Sequence, residues 1–303
     1  MSQFWNVLKW QLGWEKNADS HLDLPPYTPV YVEPNAAVIA DPNPHTIQIT
    51  WIGHSTYLIQ VDGLAILTDP IWSERASPVS WAGPKRVAHP GIRFEDLPPI
   101  DAVVISHTHY DHLDLPTVLK LGNAPRYFVQ ERTNWWFTKR GITNVSELSW
   151  WKSATIGSIT ITAVPAKHFS KRNLWRTNDA GYGGFVIESH AGAIYFAGDT
   201  GYDPAHFVNI GQKFPGIRLG LIPIGAYSPR WFMERVHIDP QHAVTVHREI
   251  GITQSIGMHW GTFKLTDEPM NEPPVLLARE VTAAGLKPAD FVTLKIGETR
   301  VFE

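Results

Sequence analysis

Four residues with metal-binding side chains lie close together in the stretch SHTHYDHLD, residues 106–114. They are His107, His109, Asp111 and His112. Imidazole and carboxylate groups are ligands that a borderline cation such as zinc accepts. In extended backbone, His107 and His109 point to the same side because they are two residues apart. Asp111 and His112 can reach a second position from the following turn, so the pattern predicts a metal site.

Each candidate ligand segment follows the end of an apolar strand. The run 102–105 precedes the motif and is typical of a buried strand. Three further candidates follow predicted strands, namely His168 after 159–164, Asp199 after 193–197 and His259 after 255–258. Strand ends in a layered α/β protein converge on one rim, where ligands bind. A lone His is more often structural, but this shared position favours the ligand interpretation, and Gly198 and Gly201 allow a tight turn at Asp199.

The composition is that of a soluble globular protein with one large or two small domains. Of the 303 residues, 43% are hydrophobic and 18% are charged. A net charge of -3 disfavours nucleic-acid binding. The absence of Cys leaves His, Asp and Glu as metal ligands and fits the cytoplasm. No signal peptide and no bilayer-spanning apolar run are recognisable, so we expect a cytoplasmic protein, with peripheral membrane contact left open.

Residues 1–45 are predicted to form an N-terminal extension. The segment 4–14 predicts a short helix with Trp and Leu on one face. Such a helix could lie at a membrane interface, or it could pack on the domain or on a second subunit. The Pro-rich stretch 24–44 predicts an ordered arm without helix.

Residues 46–303 are predicted to form the main domain, with two sheets packed face to face and helices outside. The predicted strands are 47–52, 56–61, 64–68, 102–105, 127–129, 158–164, 184–188, 193–197, 219–224, 254–258 and 291–296. The predicted helices are 115–121, 131–140, 240–250 and 274–284. The long loop 70–99 is rich in Pro, Ser and Gly, and a loop of this length is usually functional.

Eight more segments carry a closer resemblance to a known family. They are TWIGHST at 50–56, LTDPI at 67–71, RASP at 75–78, GPKR at 83–86, FAGDTGY at 196–202, IPIGAY at 222–227, PRWFM at 229–233 and HWGTF at 259–263. The motif at 107–112 resembles the metallo-β-lactamase superfamily. Together with these segments, over roughly residues 46–303, the chain resembles the N-acylphosphatidylethanolamine-hydrolysing phospholipase D family within it.

The resemblance implies a metallo-β-lactamase αβ/βα four-layer sandwich with two zinc ions at the rim. A carboxylate that bridges both ions is physically reasonable, because two close cations need shared negative charge. Iron or manganese would also suit these ligands, and a homodimer is a further expectation from the family. By matching motif positions, His107, His109 and His168 would hold the first zinc, Asp111, His112 and His259 the second, and Asp199 would bridge both.

The implied activity is that of a phosphodiesterase of the phospholipase D type. The substrate would be N-acylphosphatidylethanolamine or a related lipid phosphodiester. A water shared by the two zinc ions would lose a proton and attack phosphorus. Asp111 could orient this nucleophile. His237 is a candidate for protonating the leaving group, with a structural role as the alternative.

Other residues are predicted to support the ligands or to contact the substrate. His54 and Asp69 suit hydrogen bonding to the ligating imidazoles. Lys85, Arg86 and Arg230 could neutralise a phosphate or a lipid head group, or they could be solvated surface residues. Tyr110 and Trp231 are further candidate substrate contacts.

Two other classes of function compete with this hypothesis. A lactonase or esterase that acts on a soluble small molecule, with or without a phosphate group, is the main enzymatic alternative. It predicts a polar pocket, whereas a lipid needs an apolar groove, with Trp72, Trp81, Trp135, Trp136 and Trp231 as candidate lining residues. A non-enzymatic binding protein is disfavoured because all seven ligand positions carry suitable residues. A nuclease and a secreted β-lactamase are disfavoured by the charge and by the missing signal sequence.

Overall fold

Two seven-stranded mixed sheets form the centre of the computed structural model, which describes residues 22–172 and 177–303. The first sheet consists of β1 (Ile47–Gly53), β2 (Thr56–Val61), β3 (Leu64–Thr68), β4 (Ala102–Ile105), β5 (Arg126–Gln130), β6 (Val145–Leu148) and β14 (Thr299–Phe302). The second consists of β7 (Ser153–Ile156), β8 (Ile159–Val164), β9 (Gly184–Ser189), β10 (Gly192–Phe196), β11 (Leu219–Pro223), β12 (Gln254–Met258) and β13 (Phe291–Val292).

Helices connect the parallel strands, and local capping residues determine where several of them begin. They are α1 (Ala36–Ala40), α2 (Leu115–Leu121), α3 (Asn134–Thr138), α4 (Pro204–Lys213), α5 (Arg230–Met233), α6 (Pro240–Ile250) and α7 (Glu272–Ala283). Asp203 and Asp239 each precede a proline and accept a hydrogen bond from a main-chain N–H of the first turn of α4 and α6. Gly251 ends α6 with a left-handed backbone, φ 76°.

The two sheets repeat one arrangement. Each begins with antiparallel strands and continues with parallel ones when the orders are given as β14-β1-β2-β3-β4-β5-β6 and β7-β8-β9-β10-β11-β12-β13. In the first sheet β1, β3 and β4 therefore run in one direction. In the second sheet β8, β10, β11 and β12 also share a direction. The carboxyl ends of these strands supply the loops that carry the candidate ligands.

The apolar core lies between the sheets, and helices cover their outer faces. In β4, Ala102 and Val104 join the core between the sheets, while Val103 and Ile105 pack with the helices on the outside. All four are buried, which explains the uninterrupted apolar run. Residues of α2 and α3 pack on the first sheet, and residues of α4, α6 and α7 pack on the second. The predicted αβ/βα four-layer sandwich is confirmed.

The arm differs from the prediction. It contains a helix, α1, capped by Asn35, whose side chain accepts a hydrogen bond from the Val38 N–H at 3.3 Å. The arm also contacts the first sheet, because the Gln60 side-chain amide donates to the Ile39 carbonyl at 2.8 Å. The prediction of an arm without helix is therefore wrong at Ala36–Ala40. The predicted helix 4–14 lies outside the described residues.

Several element boundaries also differ. The helix predicted at 131–140 is limited to α3, and the strand predicted at 291–296 ends at Val292. A turn follows, in which the Glu298 N–H donates to the Lys295 carbonyl at 3.0 Å. Strands β6, β7 and β14 and helix α4 were not predicted, because three are short edge elements with exposed positions and α4 has only two buried residues. Among the described residues, no helix is both long and apolar enough to cross a bilayer.

Candidate metal centre

Seven His and Asp side chains meet where strands from both sheets end. They lie after β4 (His107, His109, Asp111 and His112), after β8 (His168), after β10 (Asp199) and after β12 (His259). The meeting follows from the topology, since the relevant strands in each sheet point in one direction. These are the seven residues that the sequence singled out as candidate ligands.

Gly198 allows the loop that carries Asp199 to approach the metal-ligand motif. Its φ is 61°, in the left-handed region that favours glycine. A Cβ atom at this position would lie 2.6 Å from Cβ of Ser106, which is too close for any side chain. Glycine at position 198 therefore permits the close contact between the loop that carries Asp199 and the loop that carries residues 107–112.

Asp199 occupies the centre of the cluster. Its Oδ2 lies 3.1 Å from Nε2 of both His112 and His259. The same oxygen lies 3.8 Å from Nε2 of His107 and of His168. A single carboxylate therefore faces imidazoles from both sheets, as a shared ligand would.

The remaining candidate ligands fall into two groups around this carboxylate. His109 Nδ1 lies 2.8 Å from His107 Nε2 and 3.3 Å from His168 Nε2. On the other side, Asp111 Oδ2 lies 3.1 Å from His112 Nε2 and 3.4 Å from His259 Nε2. The groups match the two ligand sets that the sequence resemblance implies.

The donor atoms suit divalent metal ions. Nε2 of His112, Nε2 of His259 and Oδ1 of Asp199 are buried and have no hydrogen-bond partner. Both nitrogens lie close to carboxylate oxygens without hydrogen-bond geometry, which is expected of groups that coordinate a common cation. Buried polar groups are rarely left unpaired, and nitrogen and oxygen donors suit zinc, iron and manganese. The cluster therefore fits a metal centre.

The electrostatics favour metal binding as well. Burial lowers the pKa of His107 and His168 well below the usual 6.5, so that both are neutral, the form that coordinates metals. Burial also acts to lower the pKa of His259, but the negative carboxylates of Asp199 and Asp111 beside its ring outweigh this effect and raise that pKa to about 9. A bound cation would displace such a proton, so metal binding releases protons.

Hydrogen bonds with Asp69 and Ser106 orient His112 and His107, two of the four candidate ligands in the loop 107–112. Asp69 Oδ2 lies 2.7 Å from His112 Nδ1, and Asp69 Oδ1 accepts the Ser106 N–H at 2.7 Å. The Ser106 hydroxyl donates to Asp69 Oδ2 at 2.5 Å and lies 2.9 Å from His107 Nδ1. Ser106 was missed by sequence reasoning, although its place directly before the motif was a usable signal. His168, from the second sheet, is supported by the main chain instead, because the Val236 carbonyl oxygen lies 2.9 Å from its Nδ1.

His54 is in direct contact with two of the candidate ligands. Its Nε2 is 2.9 Å from Asp111 Oδ2, and its ring centroid is 4.1 Å from that of His259. With Asp111, His112 and His259 it forms a group that could itself hold an ion. Three non-glycine residues here have left-handed backbones, namely His54 (φ 55°), Asp69 (φ 34°) and His259 (φ 60°).

His237 borders the centre. Its Nδ1 is buried without a hydrogen-bond partner and lies 3.9 Å from Asp199 Oδ2. Its ring centroid is 5.1 Å from that of His168. Burial lowers its pKa to about 4, against the opposing effect of Asp199. The imidazole is therefore neutral near pH 7.

The residues predicted to contact the substrate occupy different kinds of position in the structure. The structure gives Arg86 a structural role instead, because it is buried and its guanidinium donates to the carbonyls of Ser73, Ala88 and Ile71 at 3.0 Å. Lys85 is exposed on the same loop.

The other two predicted contacts lie around α5. Arg230 forms an ion pair with Asp239, the residue that caps α6. Trp231 is half-buried, with its ring centroid 5.7 Å from that of Phe232.

Tyr110 lines a cavity of about 710 Å³ beside the centre. The cavity is bounded by the loop 73–80, by the start of α2 and by α3. Of the five Trp residues proposed to line an apolar groove, Trp135 and Trp136 line this cavity, whereas Trp72, Trp81 and Trp231 do not. Arg140 and Arg172 also line it and were not predicted, although Arg172 lies only four residues after His168.

The fold and the site define a metal-dependent hydrolase of the metallo-β-lactamase superfamily. A family model described as a beta-lactamase superfamily domain matches residues 65–260. The metallo hydrolase Igni18 from Ignicoccus hospitalis has a similar structure, with a TM-score of 0.64 and 25% identity over 85% of this chain and 99% of that one.

Two curated relatives narrow the family. N-acyl-phosphatidylethanolamine-hydrolyzing phospholipase D 1 of Caenorhabditis elegans is 40% identical over 82% of this chain and 74% of its own length. The mitochondrial N-acyl-phosphatidylethanolamine-hydrolyzing phospholipase D of Saccharomyces cerevisiae is 34% identical over 84% of this chain and 56% of its own length. The chain belongs to the N-acylphosphatidylethanolamine-hydrolysing phospholipase D family.

Proposed function

We propose that this chain is a dinuclear zinc phosphodiesterase that hydrolyses N-acylphosphatidylethanolamine or a related lipid phosphodiester. The observation that carries the proposal is the position of Asp199, whose one carboxylate faces imidazoles from both sheets. A carboxylate shared in this way suits two cations, and paired cations suit displacement at phosphorus. The names of the two curated relatives support the choice of lipid.

The chain offers one set of ligands for each ion. When bound, the ions would neutralise phosphate charge and lower the pKa of a water molecule. Iron or manganese would suit the same donors. In this proposal His107, His109 and His168 hold one zinc, Asp111, His112 and His259 hold the other, and Asp199 is shared.

Two residues act on the reacting groups in this proposal. Asp111 is held in place by His54 at 2.9 Å, so its carboxylate can orient a water molecule for attack on phosphorus. His237 presents a ring nitrogen without a partner beside Asp199. We assign to that nitrogen a hydrogen bond with the leaving oxygen. The proton lost by the attacking water balances the one that this oxygen gains, so that N-acylethanolamine departs as a neutral alcohol when the P–O bond breaks.

The cavity beside Tyr110 would hold the body of the substrate. Trp135 and Leu115 provide apolar surface there. Tyr110 connects the cavity to the loop at 107–112, called here the ligand loop, because it lies between His109 and Asp111. A lipid would enter from a membrane surface, so peripheral membrane contact is part of the proposal.

One observation favours a second candidate function. The cavity wall includes Arg140 and Arg172, and a polar pocket is what a hydrolase of soluble substrates would need. The alternative is therefore a metal-dependent lactonase or esterase that acts on a small, phosphorylated molecule.

The test is hydrolysis of N-acylphosphatidylethanolamine in mixed micelles by zinc-loaded protein, with the products identified by mass spectrometry. We expect phosphatidate and N-acylethanolamine, two zinc ions per chain, and loss of both products in Asp199→Asn. Asp203→Asn is the matched control, because Asp203 lies four residues further along and only caps α4. A protein that binds two metal ions and cleaves a soluble lactone or phosphorylated ester, but never the lipid, would overturn the assignment.

A further inference from the structure

Two guanidinium groups in the cavity wall contact one indole ring. Cζ of Arg140 lies 4.0 Å from the ring centroid of Trp136, and Cζ of Arg172 lies 5.0 Å from it. Arg172 also lies 4.3 Å from the ring of Tyr110. Stacking on aromatic rings holds both planar groups at the cavity surface.

Neither positive charge is neutralised within the described part of the chain. Across residues 22–172 and 177–303, no carboxylate forms an ion pair with Arg140 or Arg172. The nearby carboxylate of Asp114 is already engaged by the hydroxyls of Ser73 at 2.7 Å and Thr117 at 2.6 Å. Two like charges beside one ring repel each other, and a bound anion would remove that repulsion.

Both groups keep unused hydrogen-bond donors. Arg172 Nη1 donates to the Thr108 carbonyl at 2.9 Å, and Arg140 Nη1 donates to the Trp136 carbonyl at 2.6 Å. The Nε and Nη2 donors of both residues have no acceptor among the described residues. A guanidinium carries five N–H donors in a fixed plane, so each group retains a free edge. A free edge of this kind matches the two oxygens of a phosphate or carboxylate.

Desolvation makes the positive charges of Arg140 and Arg172 less stable, which favours the binding of an anion. Desolvation lowers the pKa of Arg172 to about 10 and Arg140 lowers it further, and the opposing effects of Tyr110, Asp114 and Asp111 do not outweigh the desolvation. Desolvation likewise lowers the pKa of Arg140. Both changes show that the surroundings disfavour uncompensated positive charge.

We propose that Arg140 and Arg172 form an oxyanion subsite beside the metal centre. It binds a phosphate or carboxylate group that is separate from the group processed at the metals and that is attached to an apolar body. N-acylphosphatidylethanolamine has no such second anion, so within the proposed function the subsite selects a related lipid phosphodiester that carries one. Trp135 and Leu115 supply the apolar wall. The subsite is tied to the ligand loop through the bond from Arg172 to Thr108, and its use during turnover rests on the proposed function.

Arg126 shows what an arginine with only a structural role looks like here. Its Cζ lies 5.1 Å from the Phe128 ring, much as in the cavity. Its Nε, however, donates to the Ser146 hydroxyl at 2.8 Å and its Nη1 to the Thr155 carbonyl at 2.9 Å. Arg126 lies outside the cavity, so Arg126→Gln is the matched control.

The first arm of the test compares soluble 4-nitrophenyl alkyl phosphodiesters with counterparts whose alkyl chain ends in a phosphate, over spacers of increasing length. In zinc-loaded wild type we expect kcat/KM at the best spacer to favour the doubly anionic substrate about tenfold, which is ~1.4 kcal/mol. Arg140→Gln should abolish the preference through KM. Arg172→Lys keeps the charge but loses the planar guanidinium, so this variant should retain part of the preference for the doubly anionic substrate. Arg126→Gln should keep the preference of the wild type.

The second arm measures the thermal shift that inorganic phosphate causes in the same zinc-loaded proteins, which requires no turnover. Phosphate bound at the metals shifts all variants equally, so the subsite appears as the part of the shift that Arg140→Gln removes. An Arg140-dependent shift without a substrate preference would identify a separate anion as the ligand. Equal behaviour of wild type and both cavity variants in both arms would overturn the subsite. Failure to cleave any diester would count against the proposed function alone, because the second arm still tests the subsite.

Discussion

The two halves of the metal centre are built differently. In the first half, one loop at 107–112 supplies four candidate ligands, and side chains of Asp69 and Ser106 hold two of them in place. In the second half, His168, Asp199 and His259 come singly from three strand ends. The visible support of His168 is a main-chain carbonyl, that of Val236.

The difference determines what point mutations can do. Side-chain supports can be removed one at a time, so the first half can be weakened by degrees. A main-chain support is kept whatever the residue type, so the second half depends on the ligands themselves and on the sheet that positions them. Effects should therefore be largest where the halves meet and smallest at a single supporting hydroxyl.

The largest effect is expected from Asp199→Asn, because this carboxylate contacts imidazoles from both halves. Loss of its negative charge should lower kcat/KM by about 10³-fold or more, corresponding to several kcal/mol of charge stabilisation. Steady-state kinetics together with metal analysis would check this. A variant that retains a tenth of the activity would contradict the central position of Asp199.

Removal of the metals should remove the link between the two halves and lower the stability of the fold, while both sheets remain folded. Chelation leaves buried donors such as His259 Nε2 and Asp199 Oδ1 without partners. We expect the Tm to fall by roughly 10 °C, since tightly bound ions contribute about 3 to 4 kcal/mol to a domain of this size. Far-ultraviolet circular dichroism below the transition should not change. An unchanged Tm would show that the ions bind folded and unfolded chains equally.

A smaller and reversible effect is expected from Asp69→Asn. The variant loses the charge that faces His112 Nδ1, and loss of such a support lowers metal affinity about 10- to 100-fold. Activity should return at excess metal, as titrations would show. Asp62→Asn is the matched control, because Asp62 also has a left-handed backbone, φ 51°, and also pairs with a histidine, His190, but lies in an outer turn. Equal losses in the two variants would contradict the role of Asp69.

The smallest effect is expected from Ser106→Ala. The hydroxyl contacts with Asp69 and His107 disappear, but the Ser106 N–H still donates to Asp69 Oδ1. One support is therefore kept, and we expect a loss of several-fold in metal affinity, near 1 kcal/mol. Competition with a fluorescent chelator would measure it. A loss as large as that of Asp69→Asn would show that the hydroxyl, and not the carboxylate, orients the ligands.

The sequence predicts which seven residues come together far better than it predicts their surroundings. His107 to His112 form one local pattern, and strand ends are recognisable from apolar runs such as 102–105. The roles of Arg86 and Arg172 depend on which carbonyls the folded chain brings to them. No local pattern distinguishes an arginine that closes a loop from one that faces a cavity.

The unpredicted elements have the same physical origin. Strands β6 and β7 are short, have exposed positions and lie at sheet edges, so pairing with a distant neighbour determines them more than their own pattern does. Helix α1 has only five residues and one buried side chain, and it is stabilised by contacts with the first sheet. Tertiary context outweighs local propensity in all three.

The left-handed backbones of His54, Asp69 and His259 have a consequence for engineering. Each such conformation costs a non-glycine residue about 1 kcal/mol, which the packed sheets must offset. Glycine would relax the chain at these positions and at the same time remove a candidate metal ligand or a side chain that supports one. Selection for heat resistance alone would therefore tend to weaken the metal centre, so thermostable variants of this enzyme should be screened for turnover at every round.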